Sequence, residues 1–296
     1  MEQPGSIPVP GSLVSRSAVT AATLVYSAPT PGCGSRYLDG RVAHEARILS
    51  ALAAGERLVA AERGVGETVF GASRAAMDLA GSADARAFAY LAPLARAALL
   101  GQPVGRVLAR LDHHDIAPFV RALELAGQDA PLAGALRYAI GAGPEATLRD
   151  AMRFAAGRDA LAREYARGFE VTRELARPAL LSALSRADSI RGVLVQAYLE
   201  VLSEVPDLDV AARAGRGEAE DVARMATGVL KAGGVHSRRG LEGIANLDGL
   251  LRADGRLAPT ATEPPVIAAA FLVALEYGPD ALNYRLRPAT GTDRSR

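Results

Sequence analysis

Along nearly every segment between glycine and proline breaks, apolar residues recur three and four positions apart, and no run alternates with period two over the length of a strand. The pattern predicts an all-α protein of about eleven helices, many of them short. Breakers fall at 29–34, 64–66, 101–103, 127–131, 141–144, 206, 233–234 and 259–265, and none is long enough to be an interdomain linker. The expected organisation is one helical domain over residues 11–280, with a loose tail at 1–10 and another at 281–296.

The clearest helix is expected to start at the capping-box spacing of Thr147 and Asp150 and to run past Phe169. Its apolar stripe contains Leu148, Met152, Ala155, Ala162, Ala166 and Phe169, and the step between Ala155 and Ala162 is filled by Asp159. A carboxylate on a core-facing stripe needs an arginine, a helix N-terminus or a metal as partner, because an unpaired buried charge is costly. On the residues alone, a structural ion pair is the plainer of these readings.

A second stripe, Ile190, Leu194, Ala197, Val201 and Val205, predicts a helix that Pro206 ends. Asp207 and Asp209 follow at once, with Arg213, Gly215, Arg216 and Gly217 beyond them. Two carboxylates with nearby arginines could hold Mg²⁺ and phosphate together. They could equally cap the next helix.

Composition narrows the chemistry. The chain has 296 residues, 49% of them hydrophobic and 23% charged, which is enough to bury a large core. A net charge of +1 supplies no long-range field to attract nucleic acid or an anionic membrane, so neither is an expected partner. Lys231 is the only lysine, so any anion recognition falls to arginine, whose planar fork suits phosphate. Cys33 is the only cysteine, which excludes an intrachain disulfide and fits a reducing, cytoplasmic setting. Residues 1–10 lack the basic and apolar regions of a secretory signal. The longest apolar stretch, 264–275, falls short of the roughly 20 residues that span a bilayer.

Several familiar catalytic patterns fail on spacing. Lys231 lacks a P-loop context, and Gly64-Val-Gly66 and Gly215-Arg-Gly217 follow no strand. His44-Glu45 is followed one turn on by Ile48, so no second imidazole faces a zinc. His113 and His114 diverge as helix neighbours, and Asp112 before them reads as an N-cap. Cys33 lies in a turn with no local histidine to activate it.

Four fragments share an order with a known family. The segment TLRDAMRFAAGRDALAREYARGF resembles the TLREAM…RD…A…Y…GF segment of the triphosphoribosyl-dephospho-CoA synthases, through Thr147, Leu148, Arg149, Met152, Arg158, Asp159, Ala162, Tyr165, Gly168 and Phe169. VLSEVPDLDVAARAG is similar to a second family stretch at Pro206, Asp207, Arg213 and Gly215. SAPTPGCGSRY resembles the APKPGNVSR loop at Ala28, Pro29, Pro31, Gly32, Ser35 and Arg36, and Leu91–Ala95 reproduces the string LAPLA.

The resemblance implies an all-α fold and transfer of a triphosphoribosyl group from ATP, as substrate, to a hydroxyl of dephospho-CoA. It implies Asp159 and Asp207 as catalytic and Mg²⁺-binding residues, and Ser35, Arg36, Arg158, Arg213 and Gly215 as phosphate or nucleotide contacts. A weaker implication, by analogy, is a ribosyl transfer in tetrahydromethanopterin-linked one-carbon metabolism.

Departures concentrate in loops. Thr30 stands where the family has lysine, Cys33 where it has asparagine, and Val25 where it has glutamate. Ser82–Arg86 replaces an Asn-Thr-Asn-Leu-Gly loop, with Arg86 in place of glycine, and Pro259–Pro265 replaces a loop carrying glycine and aspartate. Two expectations follow: a ribosyl-phosphate or triphosphoribosyl transferase with a remodelled site, or a non-catalytic relative that binds a nucleotide or a paralogous subunit. The oligomeric state is open, with a homo-oligomer among the expectations.

Overall fold

A computed structural model describes residues 7–38, 40–128, 132–143, 145–186 and 189–283; of the tails expected at 1–10 and 281–296, residues 1–6 and 284–296 lie outside these. Sixteen α-helices and no strand occur among the described residues. In order they are α1 (Gly11–Ser27), α2 (His44–Leu58), α3 (Val65–Ala80), α4 (Ala85–Leu100), α5 (Val104–Leu108), α6 (Ile116–Leu125), α7 (Leu132–Gly141) and α8 (Leu148–Ala155). Then come α9 (Ala160–Arg167), α10 (Arg177–Arg186), α11 (Ile190–Glu204), α12 (Leu208–Ala214), α13 (Arg216–Lys231), α14 (Arg238–Ala253), α15 (Glu263–Tyr277) and α16 (Asp280–Asn283). The all-α expectation holds, with more and shorter pieces than the periodicity separates.

Three helices form the interior. Glu263–Ala274 of α15 is buried on every side except at Leu272, as expected of a helix apolar all round, and it packs against α1, α4, α10 and α11. The first eleven residues of α4 and most of α11 are similarly enclosed. The apolar run at 264–275 is therefore a core helix, and no described helix is long and apolar enough to cross a membrane.

The single helix expected over 147–169 is two. Thr147 caps α8 by accepting the Asp150 N–H, α8 ends at Ala155, and a turn through Gly157 leads to Asp159. Asp159 has extended backbone (φ −136°, ψ 128°) and its carboxylate accepts the Ala162 N–H, so it is the N-cap of α9 and not a residue on a continuous stripe. The i, i+3, i+4 pattern persists because both helices bury the same faces.

α9 ends in an unusual turn. Gly168 and Phe169 are both left-handed, at φ +69° and +63°; Phe169 is the only non-glycine described residue with positive φ. A left-handed conformation costs about 1–2 kcal/mol for an L-residue. Here the Phe169 ring is fully buried, edge-on to Tyr90 and tilted against Tyr165, which offsets that cost. A π-helical turn, Val171–Ala176, follows, and the buried carboxylate of Glu164 accepts N–H groups from both Val171 and Thr172 at its start.

Pro93 lies inside α4 and cannot donate to the carbonyl of Ala89. Tyr165 fills that vacancy, its hydroxyl donating to Ala89 O at 2.7 Å. Thus the LAPLA string and the second-half motif meet across the core.

Candidate active site

Four helix N-termini meet along one buried polar seam. The starts of α4, α9 and α12 are each capped by an aspartate of the seam, which accepts N–H groups that lack intrahelical partners. At α4, Asp84 accepts the Ala87 N–H at 3.0 Å and the Tyr26 hydroxyl at 3.0 Å. Asp159 caps α9 and Asp207 caps α12, Asp207 Oδ1 accepting the Asp209 and Val210 N–H groups at 2.9 and 3.0 Å. The start of α15 is tied in from the same acid, because Asp207 Oδ2 accepts the Ala261 N–H and the Thr262 hydroxyl at 2.9 and 2.8 Å.

Arg86, in the first turn of α4, connects these ends. Its Nη2 donates to Asp159 Oδ2 at 2.7 Å and lies 4.0 Å from Asp209 Oδ1. Burial alone would lower the affinity of this guanidinium for its proton; Asp159 and Asp209 outweigh that and hold it charged. Asp209 continues the chain outward: its Oδ2 accepts the Thr260 hydroxyl at 2.7 Å, and Thr260 Oγ1 accepts Arg213 Nη1 at 3.2 Å. Arg213 also donates to the carbonyls of Arg256 and Ala258. The altered 259–265 loop is therefore clamped by Asp207, Asp209 and Arg213.

A second pair borders the seam. Arg47 on α2 bonds Glu263 at the start of α15, and its guanidinium lies 3.8 Å above the Tyr26 ring. Burial pushes the Glu263 carboxyl up, against the opposing pull of Arg47. The 29–36 loop packs beside it, pinned through its backbone: Tyr198 donates to Pro31 O at 3.0 Å, Arg47 to Gly34 O at 2.8 Å, and Gly32 N–H to Asp248 at 2.8 Å. Gly32 has φ +77° and a Cβ there would lie 2.8 Å from Pro259, so both backbone and space require glycine. Cys33 is buried, with its thiol pushed up to about 12 by desolvation, which makes it an inert turn residue.

Asp159, Asp207 and Arg213 are thus brought into one network through Arg86, Asp209 and Thr260. Ser35 is buried in the 29–36 loop, where its hydroxyl accepts the Tyr37 N–H. Arg36 and Arg158 lie on the exposed surface, and Gly215 is an exposed C-cap at φ +107°. Reasoning from sequence missed Arg86, Glu164, Arg47 and Glu263 as seam residues. Glu164 carried a signal, standing three and four residues beyond the apolar pair Leu161 and Ala160; Arg86 carried one only as a departure from the family string.

Asp207 is fully enclosed, and desolvation followed by the neighbouring Asp209 raises its carboxyl to about 6 despite its hydrogen bonds. Beside it, Tyr90, Arg163, Glu164 and Thr262 help to line a cavity of about 10 Å³, room for a single water. A wider groove of about 450 Å³ opens between α13 and α14, lined by Met225, Arg239, Glu242 and Leu250 among others.

The residues do not fit the implied Mg²⁺. That ion takes oxygen ligands at about 2.0–2.1 Å and so needs carboxylate lone pairs facing free space. Each Asp207 oxygen takes two protein donors, and each Asp159 oxygen takes one, from the Ala162 N–H and from Arg86, whose cation already stands beside that acid. Among the described residues, no group of three or more His, Cys, Asp or Glu side chains is placed to hold a metal.

An all-α domain with acids and arginines joined at converging helix ends defines a helical protein with a buried polar centre. Residues 12–281 match the CitG family of ATP:dephospho-CoA triphosphoribosyl transferases, and the chain belongs to that transferase family. Its fold is similar to that of a crystal structure from Archaeoglobus fulgidus assigned as a triphosphoribosyl-dephospho-CoA synthase, with a TM-score of 0.59 and 24% identity over 77% of this chain and 98% of that one. No curated protein matches the chain by sequence.

Proposed function

We propose that the protein is a transferase of coenzyme biosynthesis that moves a triphosphoribosyl group from ATP to a hydroxyl of dephospho-CoA or a similar acceptor. Family membership over 12–281 carries this reading, because the matched span contains all four helix ends of the seam. In the reaction, the bond from the ribose anomeric carbon to adenine breaks, a bond to the acceptor oxygen forms, and the hydroxyl proton leaves with adenine. The sugar passes through a cation-like state that nearby carboxylates stabilise. Asp207 and Asp159 are the acids proposed for that role, with Arg213, Arg158, Arg36, Ser35 and Gly215 as candidate phosphate contacts.

The test is release of adenine from ATP and dephospho-CoA by the purified chain, followed by chromatography. Release well above that of an Asp207→Asn variant supports the reading; equal release from both counts against it.

One observation favours a second reading, in which the chain binds a nucleotide or a paralogous subunit without turnover. Asp159 and Asp207 are hydrogen-bonded on both oxygens, and the adjoining cavity has room for a single water only. Saturable ATP binding by calorimetry with no adenine release would select this alternative.

A further inference from the structure

Asp159 and Asp209 face the same nitrogen of one side chain. Arg86 Nη2 stands 2.7 Å from the first carboxylate and 4.0 Å from the second, and the residue is 9% exposed. The position is built rather than casual: the Arg86 backbone N–H donates to Gln128 Oε1 at 3.1 Å, and Gln128 also reaches Asp84, the cap of the same helix. A guanidinium cannot lose its charge, so the group between the two acids is a permanent cation.

We propose that Arg86 is the resident cation of this seam, occupying the place between the α9 and α12 N-terminal carboxylates that a divalent ion would otherwise take, so that these acids bind no Mg²⁺. The argument is one of charge and coordination. Two acids, one fully buried and one partly so, require a positive partner. Arg86 meets that requirement with a fixed monovalent group, and its nitrogen stands where a metal–oxygen distance of about 2 Å would have to be accommodated. Asp207 offers no alternative seat, since its four donors come from Asp209, Val210, Ala261 and Thr262. The consequence is a buried centre whose positive charge is covalently attached and independent of metal supply.

This inference concerns the ligand-free chain and goes beyond the transferase reading, so it can fail while that reading stands. The probe is Mn²⁺, followed by water-proton relaxation without nucleotide. The wild-type chain is expected to show no site that an Asp159→Asn substitution removes. Arg86→Gly, or Arg86→Gln if glycine does not fold, is expected to bind Mn²⁺ at least roughly tenfold more tightly than wild type and to melt at a higher temperature when Mn²⁺ is added. Adding Asp159→Asn to that variant abolishes the gain. A wild-type Mn²⁺ site lost in Asp159→Asn overturns the proposal, as does a folded Arg86 variant with no gain in Mn²⁺ affinity.

Discussion

The hydroxyl of Tyr165 lies 2.7 Å from the carbonyl oxygen of Ala89, the acceptor that Pro93 deprives of its helical donor. One side chain of α9 thereby repairs a defect in α4. A buried carbonyl left without a donor costs about 1–3 kcal/mol, so Tyr165→Phe is expected to lose that much in urea unfolding. Restoring the helical donor with Pro93→Ala should make Tyr165→Phe nearly neutral, and a double-mutant cycle showing no coupling between 93 and 165 would contradict the assignment.

Arg86 and Asp159 form a buried pair, and removing one member alone costs more stability than neutralising both. Asp159→Ala strips the α9 cap and leaves a buried guanidinium unpaired, with an expected loss of about 3–5 kcal/mol. In Arg86→Met/Asp159→Asn the amide keeps a capping oxygen, and the only charge left without its cation is that of Asp209, which is part-exposed and accepts from Thr260. That double variant should be more stable than Asp159→Ala in the same denaturant titration.

Asp207 makes stability depend on acidity. Burial and Asp209 raise its carboxyl from an ordinary value of 3.8 to about 6 in the folded chain, so the folded state holds the proton more tightly than the unfolded one. Its contribution is fully present below about pH 4 and is lost as pH rises through about 6. Asp207→Asn abolishes this term. Between pH 4 and 7, wild-type stability should fall relative to the variant; parallel curves would argue against the raised value.

Arg47 pulls against the burial that raises the Glu263 carboxyl. With Arg47→Met, nothing opposes the burial that pushes Glu263 up, and the carboxyl takes a proton in the folded state. The loss of stability should be about 3–5 kcal/mol near pH 8. It should shrink toward pH 5, as protonation of Glu263 relieves the unpaired charge. An equal loss at both values would show that packing on Tyr26, not charge, is the main role of Arg47.

Much of the framework was legible because it is written in local spacing. The stripe from Ile190 and the stop at Pro206 located α11 to within a residue, and Thr147 marked the start of α8. The break at Asp159 was hidden because α8 and α9 bury similar faces, so the apolar period runs on across the turn. Gly157 followed by an N-cap residue was the available clue.

By itself the sequence determined an all-helical chain, its principal breakers and the pair of acids that follows Pro206 at the start of α12, since periodicity and capping act over a few residues. Only the tertiary structure decided that Arg86 pairs with Asp159, 73 positions away, that Asp207 is saturated by donors from the 260–262 turn, and that Tyr165 serves Ala89. Those contacts join residues with no sequence relation to one another. Their geometry exists only after the core around α4, α11 and α15 has closed and removed water as the competing partner.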